Sequence, residues 1–266
     1  MANIYVGQQS VSMYKGDAPE QPIQMIYENN EAIYNPDNIT PSGHIVKLWM
    51  PMDTNSNDTV ENRVATVNSA TIDSSVKAIG AGSLATTGGS DSVSISVPTI
   101  GDTNYTISFW IYQTSANTNK VILSSSDYAD NDSGEFVFGL DSAGKLYYKY
   151  ASTHISLGTS IKQQVLSSSA VATNAWVHVA VVRENSGGYA NSVTRLFIDG
   201  VSQGVVTQSS ASSYGVEPIR ASGITVGADE DAANGFSGNI DNVRIHNFAL
   251  YKNGTSFTPS TTTPAP

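Results

Sequence analysis

Residues 176–204 read WVHVAVVRENSGGYANSVTRLFIDGVSQG, and the fold turns on this stretch. Trp176 to Val182 is apolar at both alternating sets of positions, the pattern of a strand covered on both faces. A polar loop follows, then the short apolar run Leu196-Phe197-Ile198. Asp199-Gly200 predicts a two-residue hairpin turn, because both residues tolerate the positive φ that a type I′ turn demands. Val201, Val205 and Val206 continue on the return strand. The rest of the chain reads as further strands added around this unit.

The chain has 266 residues, enough for one large all-β domain with an appendage. By the size relation, roughly 70–75% of the unfolded surface is buried on folding, so a core forms without covalent staples. There is no cysteine, which removes disulfides, thiolate zinc sites and cysteine nucleophiles together. The formal net charge is −10 with only 14% charged residues, a surface that repels a phosphate backbone and argues against nucleic acid. No window reaches the roughly 18 apolar residues of a membrane-spanning helix. Met1 to Ser10 has neither the charged start nor the apolar run of a secretory leader.

In chain order, residues 1–40 stand apart. Ile4 to Gly7 with Val11 to Gly16, and Met25 to Tyr27 with Ala32 to Tyr34, predict two hairpins. Isolated hairpins are marginal in water, so this segment must dock on the main domain, on a partner or on its own copies. Asn35 to Gly43 is a Pro-containing connector and marks the boundary. From residue 41 to 258, short strands recur at turn-marked intervals: Ile45 to Met52, Ser92 to Val97, Tyr105 to Tyr112, Phe136 to Phe138, Leu146 to Tyr150, Ile161 to Leu166, Ile224 to Val226 and Ile240 to Ile245. No amphipathic helix interrupts them, so the expected fold is all-β, a two-sheet antiparallel jelly-roll sandwich. Residues 259–266 form a Thr/Pro-rich tail that favours an extended backbone.

Four stretches occur in a characteristic order: YTISFWIY (105–112), WVHVAVVR (176–183), LFIDG (196–200) and GNIDNVRI (238–245). Together they resemble the laminin-G-like, concanavalin A-like lectin jelly rolls over about residues 44–258. The superfamily contains lectins, adhesion modules, glucanases and structural domains, so the resemblance implies the fold more firmly than the activity.

Catalytic residues are not expected. Glucanases of this fold carry two carboxylates at alternate positions on one strand, so that acid and nucleophile share a cleft. The Glu-x-Asp-x-x-Glu pattern is absent from the sequence. Asp229-Glu230-Asp231 comes nearest, but neighbouring strand residues face opposite ways. Gly200-Val-Ser-Gln-Gly204 matches the nucleophile-elbow spacing, yet its serine falls on a hairpin return strand instead of a strand-to-helix turn. His44, His154, His178 and His246 lack metal-ligand spacing, and His178 is read as a hydrogen-bonded core side chain. Asp53 to Asp58 is oxygen-rich but lacks the glycine and glutamate of an EF-hand loop, so it is read as a polar turn.

A carbohydrate site is the remaining chemistry, with an aromatic ring to stack on sugar C–H groups and Asp or Asn to bond hydroxyls. The candidates are Asp127, Tyr128, Asp130 and Asp132, then Tyr189 and Asn191, then Tyr214, then Asp229, Asp231 and Asn234; for each, a solvated turn is the alternative. The resemblance further implies a structural calcium near the first and last strands, with Asp53 and Asp241 as its ligands. Two carboxylates brought together repel unless a cation neutralises them. The alternative is two unrelated polar side chains.

The anchor-like hairpins, the missing cysteines and the Thr/Pro-rich end resemble tailed-bacteriophage structural proteins that carry a laminin-G-like domain. The expectation is a non-enzymatic virion protein, in capsid decoration or tail. It contacts other virion proteins through residues 1–40 and the tail, forms a homo-oligomer, and displays the jelly roll to glycans. A purely architectural decoration protein and a bacterial surface or secreted carbohydrate-binding module are the alternatives.

Overall fold

The computed structural model describes residues 46–97, 104–125, 135–150, 164–184, 192–205, 223–229 and 231–261 in full. For 3–6, 9–12, 26–28, 31–34, 151–153, 160–163, 185 and 206–207 it describes the backbone alone. Among these residues there are nineteen strands, one short 3-10 turn and no α-helix. The expected all-β sandwich is what forms.

One layer runs β17 (Val201–Thr207), β16 (Ser192–Ile198), β15 (Trp176–Asn185), β10 (Tyr105–Tyr112) and β19 (Gly235–His246). Strand β19 is twelve residues long and is shared at its far edge. Its first half pairs with β8 (Ser83–Gly89), which in turn carries β7 (Thr71–Asp73); its second half pairs with β5 (Val46–Met50). The second layer runs β14 (Ser160–Ala170), β13 (Lys145–Thr153), β12 (Phe136–Leu140), β11 (Lys120–Ser125), β18 (Gly223–Val226), β9 (Ser92–Ser96) and β6 (Thr66–Asn68). A parallel bridge between Val121 and Gly235 ties the layers together. All the other strand ladders of the sandwich are antiparallel.

Period-2 alternation places Ile107, Phe109 and Ile111 of β10 and Val177, Val179 and Val181 of β15 on the inner face, and a bulge in β19, with Asn242 at φ 52°, resets the alternation so that Ile240, Val243 and Ile245 all face inward. They meet Phe136, Phe138, Leu140 and Tyr148 of the second layer, with Phe109 edge-on to Phe138 at 5.0 Å. At roughly 1.5–3 kcal/mol per buried large apolar side chain, this core is the main stabilising term. The double-sided apolar pattern of 176–182 has a concrete cause. While Val177, Val179 and Val181 point inward, Ala180 and Val182 face outward with Phe197, beneath Ala249 and Phe257 of the C-terminal segment. Residues 247–258 thus act as a strap across the outer face of β15 and β16. The Asp199-Gly200 turn has φ of 49° and 75°, as the hairpin reading required. Gly200 is obligatory for a second reason: a Cβ there would stand 1.7 Å from the Phe257 carbonyl oxygen, while the Phe257 N–H donates to Gly200 O at 3.1 Å.

Among the described residues before β5, two separate two-stranded sheets form, β1 (Asn3–Val6) with β2 (Gln9–Ser12) and β3 (Ile26–Glu28) with β4 (Glu31–Tyr34). The two hairpins read from sequence are present, and their described strands are not part of the sandwich ladders.

Candidate functional site

Asp53 follows β5, and Asp241 lies in β19, the strand β5 pairs with. Between them passes the chain that connects β7 to β8. Asp241 is fully buried, its Oδ2 accepting the backbone N–H groups of Ala78 at 2.9 Å and Ile79 at 3.0 Å. Its Oδ1 is buried with no hydrogen-bond partner. Asp53 Oδ1 accepts the N–H of Ala81, two residues further along the same loop. The loop can ride this low because Gly80, at φ 68°, has no side chain: a Cβ would stand 2.1 Å from Asp53 Oδ1. The carbonyl oxygens of Met52 and Asp53 lie 2.9 and 2.6 Å from where a Gly82 Cβ would be.

Burial first, and the Asp53 charge to a lesser degree, push the Asp241 carboxyl up from 3.8 to about 6, against the lowering effect of the Ile79, Ala78 and Asn242 backbone N–H groups. Leaving this carboxylate charged, buried and half-bonded is costly. The donor set suits a hard cation: two carboxylates, one of them with a buried oxygen lacking a partner. Among the described residues no third His, Cys, Asp or Glu joins them, so the remaining oxygens of a calcium shell would be carbonyls and water.

The other candidates fare differently. Asp229 caps its own turn, accepting from Ala233 N at 2.5 Å and Asn234 Nδ2 at 2.9 Å, while Asp231 is exposed. That is a self-satisfied turn. Nearby, Tyr147 has its hydroxyl pKa raised by burial and by the Asp229 and Asp141 charges. Asp127, Tyr128, Asp130, Asp132, Tyr189, Asn191 and Tyr214 lie outside the described residues. The strand ends that border them do not. Ser125 of β11 pairs with Ile224 at the start of β18, Asn185 of β15 pairs with Ser192 of β16, and Val193 pairs with Thr207 at the end of β17. Those ends gather at one end of the sandwich, where Thr194 Oγ1 bonds the Tyr150 hydroxyl across the layers at 3.4 Å. The Asp229–Asn234 turn, which joins β18 to β19, lies at the opposite end.

The sequence reading missed the device beneath that gathered end. Arg183 is 1% exposed, with its guanidinium 5.2 Å from the Tyr150 ring and 5.9 Å from the Tyr105 ring, and Tyr105 shares a 2.8 Å hydroxyl bond with Tyr148. Its position closing an apolar strand, opposite tyrosines, was the available signal. His178 also departs from expectation. It is buried edge-on to Trp110 at 5.1 Å and to Phe257 at 5.8 Å, and its Nδ1 has no hydrogen-bond partner. Aromatic packing, not a hydrogen bond, holds that ring. The Asp53–Asp58 stretch is indeed a turn, but Asp58 is a buried staple, accepting from Trp49 N and Val60 N on Oδ1 and bonding Arg63 at 2.8 Å.

Comparison with known proteins agrees with this architecture. Domain 4 of AbnA, an extracellular arabinanase from Geobacillus stearothermophilus solved with arabinotriose, is similar over 77% of this chain and 93% of its own, at 15% identity and TM-score 0.51. The binding domain of botulinum neurotoxin DC, solved with rat synaptotagmin II, is similar at 17% identity and TM-score 0.53, covering 77% of this chain. The same domain in complex with SialylT gives 18% identity, TM-score 0.52 and 79% coverage. The chain spans about half the length of the neurotoxin chains, 49% and 48%. At these identities the likeness is one of fold. No match was found among curated proteins. The family model described as the concanavalin A-like lectin/glucanases superfamily, of the Laminin_G_3 type, matches residues 87–253. That span runs from the end of β8 through the strap turn, and it places the chain in the concanavalin A-like lectin/glucanase superfamily as a laminin-G-type domain.

Proposed function

We propose that the chain is a non-catalytic virion structural protein of a tailed bacteriophage, anchored by residues 1–40 and displaying a laminin-G-type domain that binds carbohydrate. The observation that carries the anchoring is the pair of hairpins whose strands form their own two-stranded sheets outside the sandwich ladders. Units of that size need a surface to pack on. Glycan binding is supported by the superfamily and by relatives of the same fold solved with arabinotriose and with SialylT. The gathered strand ends around 125, 185, 192, 207 and 223 are where recognition loops would be presented. Many copies on one particle make even a weak single-site affinity useful through avidity.

Within this reading Asp53 and Asp241 hold a structural calcium. The ion would neutralise the buried Asp241 carboxylate and pin the β7–β8 loop between the first and last strands of the domain.

Deleting residues 1–40 is the direct test. Loss of incorporation into particles, with the far-ultraviolet spectrum of the sandwich retained, is the expected result; normal incorporation defeats the anchoring. A glycan panel on the full chain tests display, and failure to bind any member leaves an architectural decoration protein. A second reading is favoured by one comparison: the arabinanase domain is matched over 93% of its length, so a bacterial carbohydrate-binding module has the same outline. That reading expects polysaccharide binding with no particle incorporation.

A further inference from the structure

The sequence holds two Asn-Gly pairs, Asn234-Gly235 and Asn253-Gly254. Such pairs are chemically labile, because the glycine nitrogen is unhindered and can close a ring onto the asparagine side chain. Both asparagines are exposed and both sit at positive φ, 49° and 59°, so neither exposure nor local conformation separates them. What surrounds them does.

Asn234 is held from three directions. Its Nδ2 donates to Asp229 Oδ2 at 2.9 Å, its carbonyl accepts Val121 N–H at 2.8 Å, and Gly235 is laddered to Gly89 on one side and Val121 on the other. Ring closure requires the asparagine ψ to swing toward the following nitrogen, and here that means parting two strands. Asn253 lies in the short turn Lys252–Gly254 at ψ 14° on the outer strap. Its backbone N–H is bonded to Glu184 Oε1 at 3.1 Å and Oε2 at 3.0 Å, and the swing disturbs that surface contact and the single turn bond from Thr255 N–H to Lys252 O at 3.2 Å, but no strand ladder. Beneath it, Glu184 pairs with Arg195, and a methyl on Gly254 would lie 3.1 Å from Arg195 Nε. A guanidinium so close to Gly254 favours loss of the proton from its amide nitrogen, the attacking atom.

We propose that Asn253-Gly254 is a site of spontaneous deamidation which the fold selects over Asn234-Gly235. The Gly254 nitrogen gives up its proton and bonds to Asn253 Cγ; the Cγ–Nδ2 bond breaks and ammonia departs with a proton, leaving a succinimide. Water then opens either ring C–N bond, giving aspartate or isoaspartate at position 253. The product places a carboxylate beside Glu184 and, as isoaspartate, lengthens the main chain just before the strap reaches Phe257. Ageing of the protein therefore loosens the strap from β15 and β16.

The test is incubation of the full chain at mildly alkaline pH, native and in urea, followed by peptide mapping with separation of isoaspartate. In urea both pairs convert at similar rates. In the native protein Asn253 converts about tenfold or more faster than Asn234, the margin that local protection of strand-bound segments provides. Native Asn253 remaining intact while the urea sample converts, or equal native rates at the two sites, overturns the proposal. Arg195→Gln slows conversion at 253 and leaves 234 unchanged; an unchanged rate at 253 overturns the role given to the guanidinium.

Discussion

Two buried ionisable groups sit on the outer side of the same layer, Asp241 under the β7–β8 loop and His178 under the C-terminal strap, and they solve the same problem in opposite ways. Each has one side-chain atom with no hydrogen-bond partner. His178 escapes by staying neutral: burial, with the Arg244 charge adding to it, pushes its pKa down to about 3, and aromatic rings close around it. Asp241 is surrounded by backbone N–H donors and a second carboxylate, a place built for negative charge but overcharged by one. A neutral imidazole can be sealed with apolar packing. A carboxylate pair needs a proton or a cation. The lesson is that the cover over each group matches its charge: a hydrophobic strap for the one, a glycine-bearing polar loop for the other.

The largest expected effect breaks the strap side. Gly200→Ala drives a methyl into the Phe257 carbonyl at a residue already at φ 75°, and should cost about 3 kcal/mol or more in chemical denaturation. Gly144→Ala, at φ 70° but with its nearest neighbour 3.5 Å from the new methyl, should cost only about 1 kcal/mol. Equal costs would show that the strap is not seated as described.

Next comes the acidic side. A carboxyl raised from 3.8 to about 6 carries a penalty of about 3 kcal/mol at neutral pH when no cation is present. Calcium should therefore raise the Tm of the chelated protein, and Asp241→Asn should abolish that rise while stabilising the calcium-free form. No calcium-dependent change in the wild type would remove the metal from Asp53 and Asp241.

The pH dependence separates the two groups. His178 and His246 each have folded pKa values near 3 against 6.5 unfolded, so the unfolded chain binds more protons between those limits. Their contribution to stability is present above about 6.5 and is lost as pH falls toward 3. Asp241 without metal runs the other way: the folded state binds the extra proton between 3.8 and about 6, so its contribution is present below 3.8 and is lost as pH rises through 6. In chelator, His178→Phe should flatten the acid limb and Asp241→Asn the neutral limb; urea midpoints across pH 3.5 to 7.5 would show both. At neutral pH the effect of His178→Phe should be the smallest, within about 1 kcal/mol, since an aromatic ring replaces an aromatic ring among Trp110 and Phe257.

Much of the sandwich was legible because its strands advertise themselves. The β10 and β15 runs alternate or saturate with apolar residues, and Asp199-Gly200 names its own turn. Strand β8, Ser-Leu-Ala-Thr-Thr-Gly-Gly, gives no such signal. It is a strand because the first half of β19 needs a partner at the edge of its layer, and small residues suit it beside β19. Strand β11 was likewise passed over, its few apolar residues being hidden between polar neighbours.

The sequence alone, then, determined the all-β class and the paired N-terminal strands, which rest on periodicity and turn chemistry carried within short windows, while the superfamily was legible through the order of four strand motifs. Only the tertiary structure decided that Asp53 and Asp241 share a loop, that Asp229 serves its own turn, that the strap covers His178, and that one Asn-Gly pair is locked between strands while its twin is not. Each of those depends on residues far apart in the chain meeting at a particular distance, and local sequence fixes conformation without fixing what comes to rest against it.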